Sequence, residues 1–147
     1  MPTPVMYNQF CLKQNNGNAI DLDGTGIKVM LVTASYTPNQ AHDFIDDADA
    51  NEVTGSNYTA DGEAIANPAI ALDSNTVEWT HDDVVWAQHA SGFTNARYAI
   101  WYHDTGTPAT SKLIMYMDLG GDKGNQSGPL TLDVNPATGV VNVTHTP

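Results

Sequence analysis

The chain has 147 residues, with 17 Asp and Glu against five Lys and Arg, a formal charge of −12 and one cysteine. That length suits one domain able to bury roughly 70% of its unfolded surface, and a lone thiol excludes an intramolecular disulfide scaffold. A charge of this sign repels phosphate backbones inside a Debye length of about 10 Å, so nucleic acid is not an expected partner; no apolar run approaches the ~20 residues a bilayer crossing needs, so no membrane partner is expected either.

The N-terminus, Met1-Pro2-Thr3-Pro4, has neither a basic region nor a long apolar region, and no secretory signal is expected there. Pro2 and Pro4 favour an extended arm suited to lying along another subunit. A strand is expected over residues 5–13, with Cys11 as a small buried apolar side chain. Asn15-Asn16-Gly17-Asn18 and Asp23-Gly24-Thr25-Gly26 carry turn chemistry, and a second strand follows at 27–33. Asn39 to Asp49 reads as a short helix, with Asn39 as its cap and Ala41, Phe44, Ile45 and Ala48 at helical spacing. Asp46, Asp47 and Asp49 fall near its C-terminal end, where the helix dipole disfavours them. Ala50 to Glu63 lacks strong periodicity and reads as an ordered loop, including Tyr58, that reaches toward a partner.

Further short apolar runs predict strands at 63–66, 69–72, 76–80, 84–88, 96–103, 112–118, 130–134 and 139–144. The run 96–103 and the run 112–118, separated by a Gly- and Pro-punctuated loop, read as a hairpin covered on both faces, one by the domain's core and one by a neighbour. The fold class is therefore all-β: an antiparallel β-sandwich, jelly-roll-like or Ig-like, with one short helix. Residues 1–26 are expected to form an N-terminal arm and first strand, and 27–147 a single sandwich domain.

Chemistry-bearing patterns are sparse. Asp21-Leu22-Asp23-Gly24-Thr25-Gly26 invites comparison with a calcium loop, but Thr25 and Val32 stand where a third ligand and a closing Glu belong, so a turn with solvated carboxylates is expected and no metal. The five histidines have no i, i+2 or i, i+4 pairing, and no nucleophile elbow or phosphate cradle is present. An enzyme is not expected, and neither is a cofactor. Trp79, Trp86, Trp101, Tyr98, Tyr102 and Tyr116 read as core or subunit interface more readily than as a sugar platform. Arg97, in a stretch poor in cations, is expected to pair with an acidic neighbour.

Several of these strings resemble small virion structural proteins of tailed bacteriophages. They are Ile27-Lys28-Val29-Met30-Leu31-Val32, Ser35-Tyr36-Thr37-Pro38-Asn39, Glu52-Val53-Thr54-Gly55-Ser56-Asn57-Tyr58 continuing to Ile65, Ala96-Arg97-Tyr98-Ala99-Ile100, Asp104-Thr105-Gly106-Thr107, and Leu113-Ile114 with Tyr116 and Asp118. The resemblance spans most of residues 27–134 and consists of strand and turn strings. It implies a capsid decoration, or cement, protein that binds the major capsid protein as a homo-oligomer, a trimer foremost, after assembly in the host cytoplasm. The negative charge favours the outside of the shell over the DNA-facing inside. On this implication Pro2, Pro4, Val5, Met6, Tyr7, Tyr58 and His145 are the candidate contacts. The alternative is a tail-associated or adhesin-like module that holds host surface glycan on its aromatic face; a tail-tube or head-completion subunit is a third possibility.

Overall fold

The computed structural model describes residues 3–133 and the backbone of 141–144. Its elements, in chain order, are β1 (Val5–Met6), α1 (Asn8–Asn15), β2 (Ile27–Val32), β3 (Glu63–Ala64), β4 (Ala69–Asp73), β5 (Thr76–Thr80), β6 (Val84–Trp86), β7 (Ala96–His103), β8 (Lys112–Lys123), β9 (Leu130–Leu132) and β10 (Val141–Thr144). All the strand pairs are antiparallel and fall into a five-stranded sheet β1-β8-β7-β2-β3, a three-stranded sheet β10-β5-β4 and a β6-β9 ribbon. The protein is thus an all-β chain with one short helix.

The centre of the large sheet is the β2-β7-β8 triplet, where Val29, Trp101 and Met115 share one register row and Met30, Ile100 and Tyr116 the next. Ala99 to Tyr102 and Leu113 to Met115 are all buried, so this chain covers both faces of the hairpin itself. Successive strand residues point to opposite faces. On one face Tyr98 meets Tyr36 edge-on, with ring centroids 6.2 Å apart; on the other, Trp101 donates its indole N–H to His81 Nε2 at 2.9 Å. His81 in turn lies against Trp79 of β5, which joins the three-stranded sheet to the large one. Trp79, Trp86 and Trp101 are each at most 1% exposed. Burying a ring that size removes roughly 150–250 Å² from water, about 4–6 kcal/mol of transfer free energy before entropy is charged.

The first 26 residues share this core: Tyr7, Phe10, Ile20 and Leu22 are buried in one cluster with residues from every sheet. Two expectations for the first half of the chain are corrected. The strand foreseen over 5–13 is only Val5–Met6, paired with Tyr116 and Met115, and the chain then turns into α1. Gln9, Leu12, Lys13 and Gln14 are good helix formers, and the helix seats Phe10 in the core while it turns Cys11 and Leu12 outward. Cys11 is therefore exposed, not the buried apolar residue expected.

The second correction concerns Asn39 to Asp49, which forms no α-helix. Asn39 does cap locally, accepting from Ala41 N at 3.0 Å, but the chain then extends to meet β8. Ile45 N donates to Ser111 O at 2.8 Å and Leu113 N to Asp43 O at 2.9 Å, so the backbone that a helix would use is spent on strand-like pairing. Two 3₁₀ turns follow, Ile45–Asp47 and Asp49–Asn51. Ile45 and Ala48 are buried three residues apart, a spacing that a 3₁₀ repeat stacks on one side as well as an α-helix does. Three aspartates at what would be a helix C-terminus further favour the short turns.

Candidate functional site

The contacts expected at the N-terminal arm lie at a sheet edge. Pro4, Val5 and Met6 are half-buried, with Val5 and Met6 closing the outer edge of β8. Tyr7 is fully buried: its hydroxyl pairs with that of Tyr36 at 2.9 Å, and Tyr36 reaches His42 Nδ1 at 3.0 Å. Burial and the Tyr36 contact push the Tyr7 hydroxyl far above the usual tyrosine range. The ring serves this chain's own core. Pro2 and His145 lie outside the described residues.

The loop between Ala50 and Glu63 is tied down along much of its length. Thr33 N donates to Asn51 O at 2.9 Å and Val53 N to Leu31 O at 3.0 Å, extending the pairing beside β2. Tyr58 is half-buried, donates to Glu52 Oε1 at 2.7 Å, accepts from Leu31 N at 3.1 Å and meets Phe93 edge-on. Burial raises the Glu52 carboxyl above the usual carboxylate range, against the Tyr58 hydrogen bond, which lowers it.

A third polar centre, which the sequence marks only as the end of a turn, is Asn125 at 0% exposure. Its Oδ1 accepts from Phe93 N at 2.9 Å, and its Nδ2 donates to Ala87 O at 2.9 Å and Ser56 O at 3.1 Å. One amide thereby staples three loops at the far end of the β7-β8 hairpin. The neighbouring string Gly120-Gly121-Asp122-Lys123-Gly124-Asn125 reads as a turn, yet β8 runs on to Lys123 before the chain dives inward.

Arg97 does find an acidic partner: its Nε lies 2.9 Å from Asp118 Oδ1 and its Nη2 donates to Oδ2 at 3.0 Å. Lys13 pairs with Asp43, Lys28 with Asp104 at 2.7 Å, and Lys112 donates to Asn18 Oδ1 at 2.6 Å. Hydrogen bonding to Lys28 holds the Asp104 carboxyl below its ordinary range. Asp21 and Asp23 face one another, and the hydrogen bond between them raises Asp21. Between Lys28 and Arg97 there are eleven Asp and Glu and no Lys or Arg. The segment from β3 to β6 thus carries charge of one sign in sequence, although Lys28 of β2 stands beside Ala64 of β3.

The remaining surface feature is apolar. Leu72 is 72% exposed, Val85 54%, Ile70 43% and Val77 42%. Ile70 pairs with Trp79 and Leu72 with Val77, so Ile70, Leu72, Val77 and Trp79 share one face of the β4-β5 hairpin, while Val85 belongs to β6. The Trp79 end of that face is closed by the Trp79 indole N–H donating to Leu22 O at 2.8 Å. Toward α1 the face opens into a groove of about 330 Å³ between Ile70 and Val77 on one side and Met6, Phe10 and Cys11 on the other. The tryptophans that a sugar platform would need are inside; what the hairpin offers outward is aliphatic. Comparison with known protein families, with curated proteins and with solved structures gives no match.

Proposed function

We propose that this chain is a non-enzymatic structural protein of a tailed bacteriophage that binds the outside of the capsid and stabilises it as a decoration, or cement, protein. On this reading its sheets close as a sandwich, its partner is the major capsid protein, and it works as a homo-oligomer, a trimer foremost. The observation that carries the reading is the exposed aliphatic surface of Ile70, Leu72 and Val77 on a chain of charge −12. Contiguous apolar surface marks a contact site, while the sign of the charge suits the solvent side of a shell packed with DNA. The strings that resemble phage virion proteins fall on β2, β7, β8, the tied-down loop beside β2 and the loops at residues 35–39 and 104–107. A protein that binds the assembled shell and not its parts stabilises the shell by mass action.

Co-sedimentation of the purified chain with expanded capsids that lack it tests the proposal. Saturable binding at a stoichiometry set by a capsid symmetry axis is the expected result. A folded, monodisperse sample that leaves every capsid bare would refute it. Removal of the first eight residues is a poor way to map the contact, because it takes Tyr7 out of the core; point changes at Val5 or Leu72 leave the core intact.

A further inference from the structure

Proteins usually guard a free sheet edge with charge, proline, a bulge or a covering element. β4 has these only at its ends, where Pro68 precedes it and Asp73 closes it: Ala69, Ile70, Ala71 and Leu72 between them are uncharged, all five of its residues are exposed, and among the described residues it pairs with β5 alone. The β4-β5 turn determines which backbone groups are free. Asp73 and Thr76 flank the two loop residues Ser74 and Asn75. In a two-residue hairpin the flanking pair exchanges both of its hydrogen bonds, and the alternation from there turns the N–H and C=O of Leu72 and Ile70 away from β5. Those same two residues send their side chains to the apolar face shared with Val77 and Trp79, next to the groove under α1. The edge therefore offers a ladder and an apolar face together.

Charge decides what fits there. Asp73 stands at one end of β4. At the other, Asp82 accepts from Asn67 Nδ2 at 2.7 Å and its backbone N–H donates to Ala66 O, which places an acid beside the start of the strand. No Lys or Arg occurs between Lys28 and Arg97. A second copy of this chain would bring a further −12 against that surface, whereas a strand with basic ends meets an acid at each end.

We propose that β4 takes up an extended segment of another protein, apolar in alternation and carrying Lys or Arg at both ends, as an added strand of the β10-β5-β4 sheet. The inference stands apart from the capsid reading, and its test needs no capsid.

The probe is a short fluorescein-labelled peptide of alternating Thr and Val flanked at each end by lysines, titrated against the full chain in about 0.1 M salt. Saturable binding is expected, with slowed amide exchange at Ile70 and Leu72 and roughly tenfold weaker binding of the same peptide flanked by glutamates. Leu72→Pro deletes an outward N–H that β5 does not use, a change an edge strand tolerates; Leu72→Lys keeps the N–H and adds repulsion. Both are expected to weaken binding roughly tenfold or more with the thermal midpoint little changed. The proposal is overturned by no saturable binding of the lysine peptide, equal binding of the glutamate peptide, binding that leaves the Ile70 and Leu72 amides unprotected, or full affinity in both variants. A dimer in sedimentation velocity that Leu72→Pro abolishes would overturn it in favour of a second copy.

Discussion

Replacing Asn125 by alanine removes the acceptor of the buried Phe93 N–H and the donor to the part-buried Ser56 and Ala87 carbonyls, of which Ala87 O keeps Asn57 Nδ2 at 3.3 Å. Leaving a buried donor unpaired costs about 1–3 kcal/mol, and an unpaired carbonyl, with a second lone pair to fall back on, costs less. The removed amide also leaves a small void, because Asn125 is at 0% exposure. The sum is roughly 2–4 kcal/mol, in the upper part of single-substitution effects. Gly124 gives no relief by collapse: a Cβ there would fall 2.2 Å from Phe93 O, so that loop already stands as close as backbone allows. For a domain of this size the loss lowers the melting temperature by roughly 10 °C. Urea unfolding followed by tryptophan fluorescence gives the free energy directly. Asn125→Asp is the informative companion, since it keeps the acceptor for Phe93 but sets a carboxylate against two carbonyls, and it is expected to be at least as damaging as the alanine. A loss below about 1 kcal/mol in Asn125→Ala would refute the argument that this amide holds the three loops.

Gly62 and Gly106 have nearly the same φ, +76° and +80°, but a Cβ on Gly62 would lie 2.4 Å from Val29 O and one on Gly106 meets nothing. Alanine at Gly106 is expected to cost about 1 kcal/mol from backbone strain alone, and at Gly62 roughly 3 kcal/mol or more, as read by thermal melts of the two variants. His81 accepts from the Trp101 indole on Nε2, so its proton sits on Nδ1, facing Asp82 O; burial lowers its pKa from the ordinary 6.5. The unfolded chain then binds the extra proton first, so the contribution is complete above pH ~6.5 and is lost as pH falls from there through the folded value. Wild type should lose more stability than His81→Gln between pH 8 and 5 in urea titrations, and equal losses would show that His81 is not the titrating group. Cys11, exposed on α1, should react stoichiometrically with a thiol reagent in the native protein at a rate close to that of the unfolded chain; strong protection would contradict the orientation of the helix.

Strands were legible wherever the local pattern and the tertiary role agree. Ile27–Val32, Ala69–Asp73, Thr76–Thr80, Ala96–His103 and the start of Lys112–Lys123 lie where short runs of β-branched, aromatic and aliphatic residues predict them. The two failures share a cause. Val5 to Lys13 has an apolar density that fits a strand, and Asn39 to Asp49 a spacing that fits a helix, but each short segment is decided by what it docks against. β1 ends after two residues because Tyr7 must enter the core, and the 43–45 backbone is claimed by residues 111–113 of a strand far along the chain. Pairing over such a distance leaves no trace in local periodicity. Asn125 was missed for a related reason: Asn beside glycines signals a turn, and only the tertiary arrangement shows that its amide faces inward.

The exposure of β4 was hidden in the opposite way. Ala-Ile-Ala-Leu looks like core, and in a chain with so few charges per strand nothing local distinguishes a buried strand from a bare edge. The distinguishing signal is the charge around it. A formal charge of −12, with Asp73 closing β4 and Asp82 beside its start, keeps other copies at a distance, so the stretch from Ala69 to Leu72 needs no lysine or proline of its own against strand-to-strand aggregation. The same field that repels a like-charged copy attracts a cationic segment, and so one feature of the composition guards the edge against the chain's own copies while leaving it open to a partner of opposite sign. That dual role explains why an apolar strand with 72% exposure at Leu72 can persist on a strongly acidic molecule with no covering element among the described residues.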